Sequence, residues 1–190
     1  MKKMPPLSLR APAFHEAGHA VACIYEHVAL LTVSIARTEE SDGRVRHRDI
    51  LHGCKIEWED KPHHRLMMER LVPMALAGPA AQSRFSPKGY RHYHGGSDLQ
   101  DAFELIQHFI GNEEEGSAYF NLLNIQARNF VNQPGVWYEI TALATALIEE
   151  KTITAQRTRS IVQAARQRSL ARTADGIIEM GQRVAKGTTH

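Results

Sequence analysis

The residues of this chain best suited to chemistry are His15-Glu16-Ala17-Gly18-His19. On a helix, residues four apart lie one turn above each other, so His15 and His19 would project from one face and could share a single ion. Glu16 directly follows the first histidine. This is H-E-x-x-H, the pattern in which two histidines hold zinc and the glutamate acts as general base for a water that the metal acidifies. Five residues can also match by chance, and the pattern then describes two surface histidines on an ordinary amphipathic helix.

A catalytic zinc site has three protein ligands and one open position, so a third ligand is required. The extended pattern with a histidine six residues after His19 is excluded, because that position is Tyr25 and the glycine expected at position 22 is Ala22. Asp98 is the better candidate. It falls in the first turn of a predicted helix after a Gly-rich loop, where backbone geometry can hold a carboxylate rigidly. Taken alone, an acid at a helix N-terminus is also explained by the helix dipole, an effect of about 0.3–1 kcal/mol. His92 and His94, in the neighbouring loop, are its rivals. Glu39 and Glu40 are weaker, because they fall in a predicted hairpin turn and a ligand needs a rigid platform. Cys23 lies one turn beyond His19 and reads as a small buried helix residue. With Cys54 it makes neither a disulfide framework nor a C-x-x-C motif.

The element that must carry the motif is a helix from about Pro12 to His27. Pro12 suits a first helical position, and Ala13, Ala17, Ala20, Val21, Ile24 and Val28 recur at helical intervals. Gly18 weakens a helix interior by roughly 1 kcal/mol relative to Ala, so its place between the histidines suggests a close approach by backbone or substrate.

Beyond it, Leu30–Ala36 and Arg44–His47 read as a β-hairpin around the turn signal Asp42-Gly43. Residues 50–62 are mixed, with Trp58 and Pro62 marking a loop. From His64 to about Phe85 the pattern predicts a helix bent or broken near Pro73 and again near Gly78-Pro79, with small residues in its second half suited to close packing on the motif helix. A capping box, Ser97 with Gln100, opens the helix that contains Asp98. Further helices are predicted over about Ser117–Gln133, Val136–Glu150 and from after Thr154 to about Ala171. The fold class is therefore mainly α (α+β), helical with one small β-hairpin beside the H-E-x-x-H helix. Residues 1–10 form an irregular lead-in, 11–172 one domain and 173–190 a C-terminal tail.

Composition limits the alternatives. Twenty-three basic and 21 acidic residues are mixed along the chain, a balance that argues against nucleic-acid binding as the main activity. The arginines at 157, 159, 166, 168 and 172 read as a solvated helix face. No apolar run approaches the ~18 residues of a membrane span, and the N-terminus leads into no signal-peptide core, so the expected location is cytoplasmic.

The segment Ala13–Val21 resembles the metal-binding helix of the peptidase domain of FtsH-type AAA+ zinc metalloproteases. The similarity continues in order through Leu31–Ile35, Ala75–Ala81, Gly96-Ser97-Asp98-Leu99 and the stretch from Ile140 to Val162 with its Thr152-Ile153-Thr154 corner. It spans about Ala11 to Val162. The resemblance implies a helical peptidase fold, zinc as cofactor, His15, His19 and Asp98 as metal ligands, and Glu16 as the catalytic base. It also implies that the substrate is a peptide or unfolded protein. The family joins this domain to an ATPase module and membrane anchors, but these 190 residues contain no P-loop and no span. Cleavage by this chain is thus expected to be ATP-independent, with a separate ATPase partner and homo-oligomerisation both open. Relatives commonly carry an Arg and two acids where this sequence has Pro79, Gln82 and Ser83, and His94 replaces a glycine. The alternative function is a catalytically idle metal-binding module that binds a peptide or protein partner on the same fold.

Overall fold

The computed structural model describes residues 7–36, 44–47, 62–88 and 96–187. Six helices and a small antiparallel sheet follow in the order α1 (Leu7–Tyr25), β1 (Leu30–Ser34), β2 (Arg44–His47), α2 (Pro62–Phe85), α3 (Gly96–Phe109), α4 (Glu113–Asn132), α5 (Pro134–Glu150), β3 (Thr152–Thr154) and α6 (Ala155–Gly187). Among the described residues no helix is long and apolar enough to cross a membrane.

The mainly helical class is as expected, but several boundaries differ. Part of the expected lead-in is helical, because α1 begins at Leu7 and passes through Pro12. The ring of Pro12 removes the bond to the carbonyl of Ser8 without stopping the helix, since burial of Ala13, Phe14 and Ala17 holds the following turns. At its other end α1 closes in a Schellman turn. His27 takes a positive φ of 54°, while the Val28 N–H donates to Cys23 and the His27 N–H to Ile24.

Helix α2 runs unbroken through both Pro73 and Pro79. Each proline removes one backbone bond, but α2 is buried along its length by Met68, Val72, Met74, Leu76, Ala77, Ala80 and Ala81. Tertiary burial outweighs the local preference to break. Helix α4 starts one turn earlier than predicted, because the Asn112 side chain accepts the Glu115 N–H at 2.9 Å and Glu113–Glu115 favour the positive end of the helix dipole. Helix α3 already begins at Gly96, one residue before Ser97, and the Gln100 amide donates to Glu104 at 2.6 Å. Part of the predicted C-terminal tail is helical, with α6 continuing to Gly187.

The hairpin is present, with Val33 opposite Val45, although its turn lies outside the described residues. The Thr152-Ile153-Thr154 corner is more than a corner. As β3 it pairs antiparallel with the free side of β1, placing Ile153 opposite Val33 in a sheet of order β2-β1-β3. Val33 and Ile153 are both buried.

Two apolar cores flank α2. The larger joins α1, the sheet, α5 and the start of α6 through residues such as Val21, Val33, Ile140, Leu143, Leu147 and Ile153. Phe14 anchors the first half of α1 there, with its ring centroid 4.1 Å from that of Phe85 and 5.3 Å from that of Trp137. The smaller core gathers Met68, Val72 and Leu76 of α2 with Ala102, Ile106 and Phe109 of α3 and Leu123 and Ala127 of α4. A charge is built into the edge of the first core. Glu139 of α5, 1% exposed, accepts two bonds from the Arg166 guanidinium and one from Tyr25 Oη, tying α1, α5 and α6 together.

Candidate metal centre

His15 and His19 lie on α1 where it crosses α2, and the crossing is unusually close. A Cβ on Gly18 would stand 2.5 Å from the Ala77 carbonyl oxygen and 2.8 Å from the Ala81 methyl. The close approach suggested by Gly18 is therefore that of the α2 backbone. Gly78 plays the reciprocal part, since a Cβ there would overlap the His19 ring. Two glycines thus let the histidine-bearing turn sit against α2.

Each histidine is oriented through Nδ1. His19 Nδ1 donates to the Met74 carbonyl at 2.7 Å, and His15 Nδ1 donates to Gln82 Oε1 at 2.9 Å. With Nδ1 carrying the proton in both rings, the Nε2 lone pairs are directed elsewhere. They converge at 3.0 Å. Asp98, from the first turn of α3, completes the group, with Oδ2 3.0 Å from His15 Nε2 and Oδ1 3.5 Å from His19 Nε2. Two imidazole lone pairs and a carboxylate facing one another repel unless a cation lies among them. The donor set therefore fits a proton or a metal ion. Among the described residues His15, His19 and Asp98 are the group of three or more His, Cys, Asp or Glu side chains arranged to hold one.

The electrostatics have identifiable causes. Burial pushes the Asp98 carboxyl up, but hydrogen bonds to His15 and His19 and their charges outweigh it and hold Asp98 well below the usual carboxylate range. For His19, burial pushes down and is outweighed by the Asp98 hydrogen bond and charge, with Glu16 and the Met74 carbonyl adding to the rise. Glu16 is 6% exposed and has no hydrogen-bond or ion-pair partner among the described residues. Burial raises its pKa, which the two histidines counter and Asp98 reinforces. A buried carboxylate with a raised pKa is a stronger proton acceptor than a solvated one.

Of the residues singled out from the sequence, His15, Glu16, His19 and Asp98 meet here. Glu39, Glu40, His92, His94 and Cys54 lie outside the described residues. Cys23 is buried in the larger core, where burial pushes its thiol up to about 12. Sequence reasoning missed the anchoring roles of Gln82 and the Met74 carbonyl. The signal for Gln82 was its position four residues after Gly78, which places both on one face of α2. No protein-family model and no curated protein matches this chain.

Proposed function

We propose that this chain is a zinc-dependent metallopeptidase that cleaves flexible or unfolded polypeptides. The observation that carries the reading is the arrival of Asp98, from a separate helix, beside the two histidines, with Glu16 buried on the same turn. Tetrahedral zinc with bonds of about 2.0–2.1 Å spaces its ligand atoms about 3.3 Å apart. The two Nε2 atoms stand 3.0 Å apart, close to that value, and Asp98 lies beside both, with Oδ2 3.0 Å from His15 and its other oxygen, Oδ1, 3.5 Å from His19; taking one ligand atom per residue, all three lie within 4.8 Å of one another. His15 and His19 would hold the ion through Nε2 and Asp98 through its carboxylate. When bound, zinc supplies Lewis acidity that lowers the pKa of a water and polarises a peptide carbonyl. Glu16 accepts the proton of the attacking water at its carboxylate and delivers it to the leaving amine. An intact glutamate beside the ligands is not needed by a merely structural site, and this favours hydrolysis over an idle module. The ordered resemblance to FtsH-type peptidases supports the same assignment.

Binding an extended peptide along an edge of the β2-β1-β3 sheet would present it without unfolding work. A stable domain must first give up about 5–15 kcal/mol, more than a peptidase cleft supplies, so compact proteins should resist cleavage unless a separate unfoldase acts. The experiment compares metal content and casein hydrolysis, with and without ATP, for wild type and Glu16→Gln. Wild type should bind zinc and digest casein without ATP, and the variant should keep zinc and lose turnover. Cleavage by Glu16→Gln at the wild-type rate would remove the base assignment. A zinc-loaded wild type that hydrolyses nothing would leave the metal-binding module.

A further inference from the structure

The two histidines are anchored differently. His19 is held by the backbone carbonyl of Met74, which every residue type at position 74 would offer, whereas His15 depends on one side chain. We infer that Gln82 is the positioning residue of the metal centre. Its amide oxygen keeps the proton of His15 on Nδ1 and so presents Nε2 to the ion. The inference rests on the metal-holding reading above.

Three observations support it. Gln82 is 9% exposed, so its amide is committed to the protein interior. It belongs to the same face of α2 as Gly78, whose missing side chain admits the His19 ring, so one stretch of helix serves both histidines. Finally, the partner is neutral. An outer carboxylate would make the imidazole a stronger donor and add a negative charge to the site, but an amide orients the ring without either effect. The ligand set then carries only the charge of Asp98, which leaves a bound divalent ion more electron-poor.

The test uses the full chain with Zn²⁺ as the probe. Dissociation constants from chelator competition are compared for wild type, Gln82→Met and Gln82→Glu, and the His15 Nδ1–H proton is followed by NMR in the zinc-loaded proteins. Methionine nearly preserves volume but removes the acceptor, and helix content by circular dichroism checks that the fold survives. Gln82→Met should bind zinc roughly 10–100-fold more weakly, the usual effect of losing an outer partner. Its His15 Nδ1–H signal should be lost to solvent exchange while that of His19 persists. Gln82→Glu should restore the protected proton and bind zinc at least as tightly as wild type. Equal affinity and an equally protected His15 proton in wild type and Gln82→Met would overturn the role of Gln82 alone. Failure of wild type to bind zinc would instead defeat the metal reading on which it rests. A Gln82→Glu protein as weak as Gln82→Met would show that the amide is required for packing rather than as an acceptor.

Discussion

The α1–α2 crossing and the α2–α3–α4 core solve the same problem in opposite ways. At the crossing, Gly18 lies against the Ala77 carbonyl and the Ala81 methyl, which cannot turn aside, and Gly78 lies against the His19 ring. In the second core, Met68, Val72, Leu76, Ile106 and Leu123 fill the space with long side chains that can adjust rotamers. Of the candidate metal-holding group, His15 and His19 stand on the first arrangement and Asp98 on the second. The histidine pair should therefore be intolerant of added volume, whereas the aspartate should be sensitive to lost volume.

The largest effect on the site should come from filling the crossing. We expect Gly18→Ala to destabilise the protein by roughly 1–3 kcal/mol or more, because the new methyl meets the Ala77 carbonyl and the helices must separate. Gly78→Ala should behave differently, since it meets a side-chain ring that can swing away. Its helix propensity improves by up to about 1 kcal/mol, while the displaced His19 loses both Met74 and its place in the ligand set. Urea denaturation and zinc competition on the pair should show stability lost in the first and zinc binding lost in the second with little change in folding. If both variants lose only stability, the glycines serve packing and not the site.

A smaller effect on the site is expected from the other core. Ile106 is fully buried on the helix that presents Asp98, and Ile106→Ala should cost about 2–5 kcal/mol. Zinc affinity should fall less than in Gly78→Ala, because α3 can still form and bring its first turn near α1. An affinity loss exceeding that of Gly78→Ala would mean that the second core sets the geometry of the whole centre.

The smallest effect concerns Cys23. A thiol pushed up to about 12 has almost no thiolate at neutral pH, so it should resist alkylation in the native protein. In a Cys54→Ser background, iodoacetamide at pH 8 should modify Cys23 only after denaturant is added. Rapid native labelling would show that the core beside the motif helix opens readily.

Local pattern alone determined the helical class, the hairpin strands and the helix-borne spacing of His15, Glu16 and His19, because a period of 3.6 residues places positions 15 and 19 on one face whatever surrounds them. Helix ends were less legible. Periodicity places the start of α4 near Ser117, whereas the Asn112 cap sets it at Glu113, and Pro73 and Gly78-Pro79 predict breaks that burial of α2 overrides. Asp98 could be favoured from its place at a helix start but not distinguished from its neighbours by spacing, since 79 positions separate it from His19. Only the tertiary structure decided its convergence with the histidines, because contact between α1 and α3 depends on both packing against α2. The same holds for Gln82, for the Met74 carbonyl and for β3. Each is an ordinary residue or backbone group whose role comes from what lies opposite it, and sequence order carries no record of that neighbour.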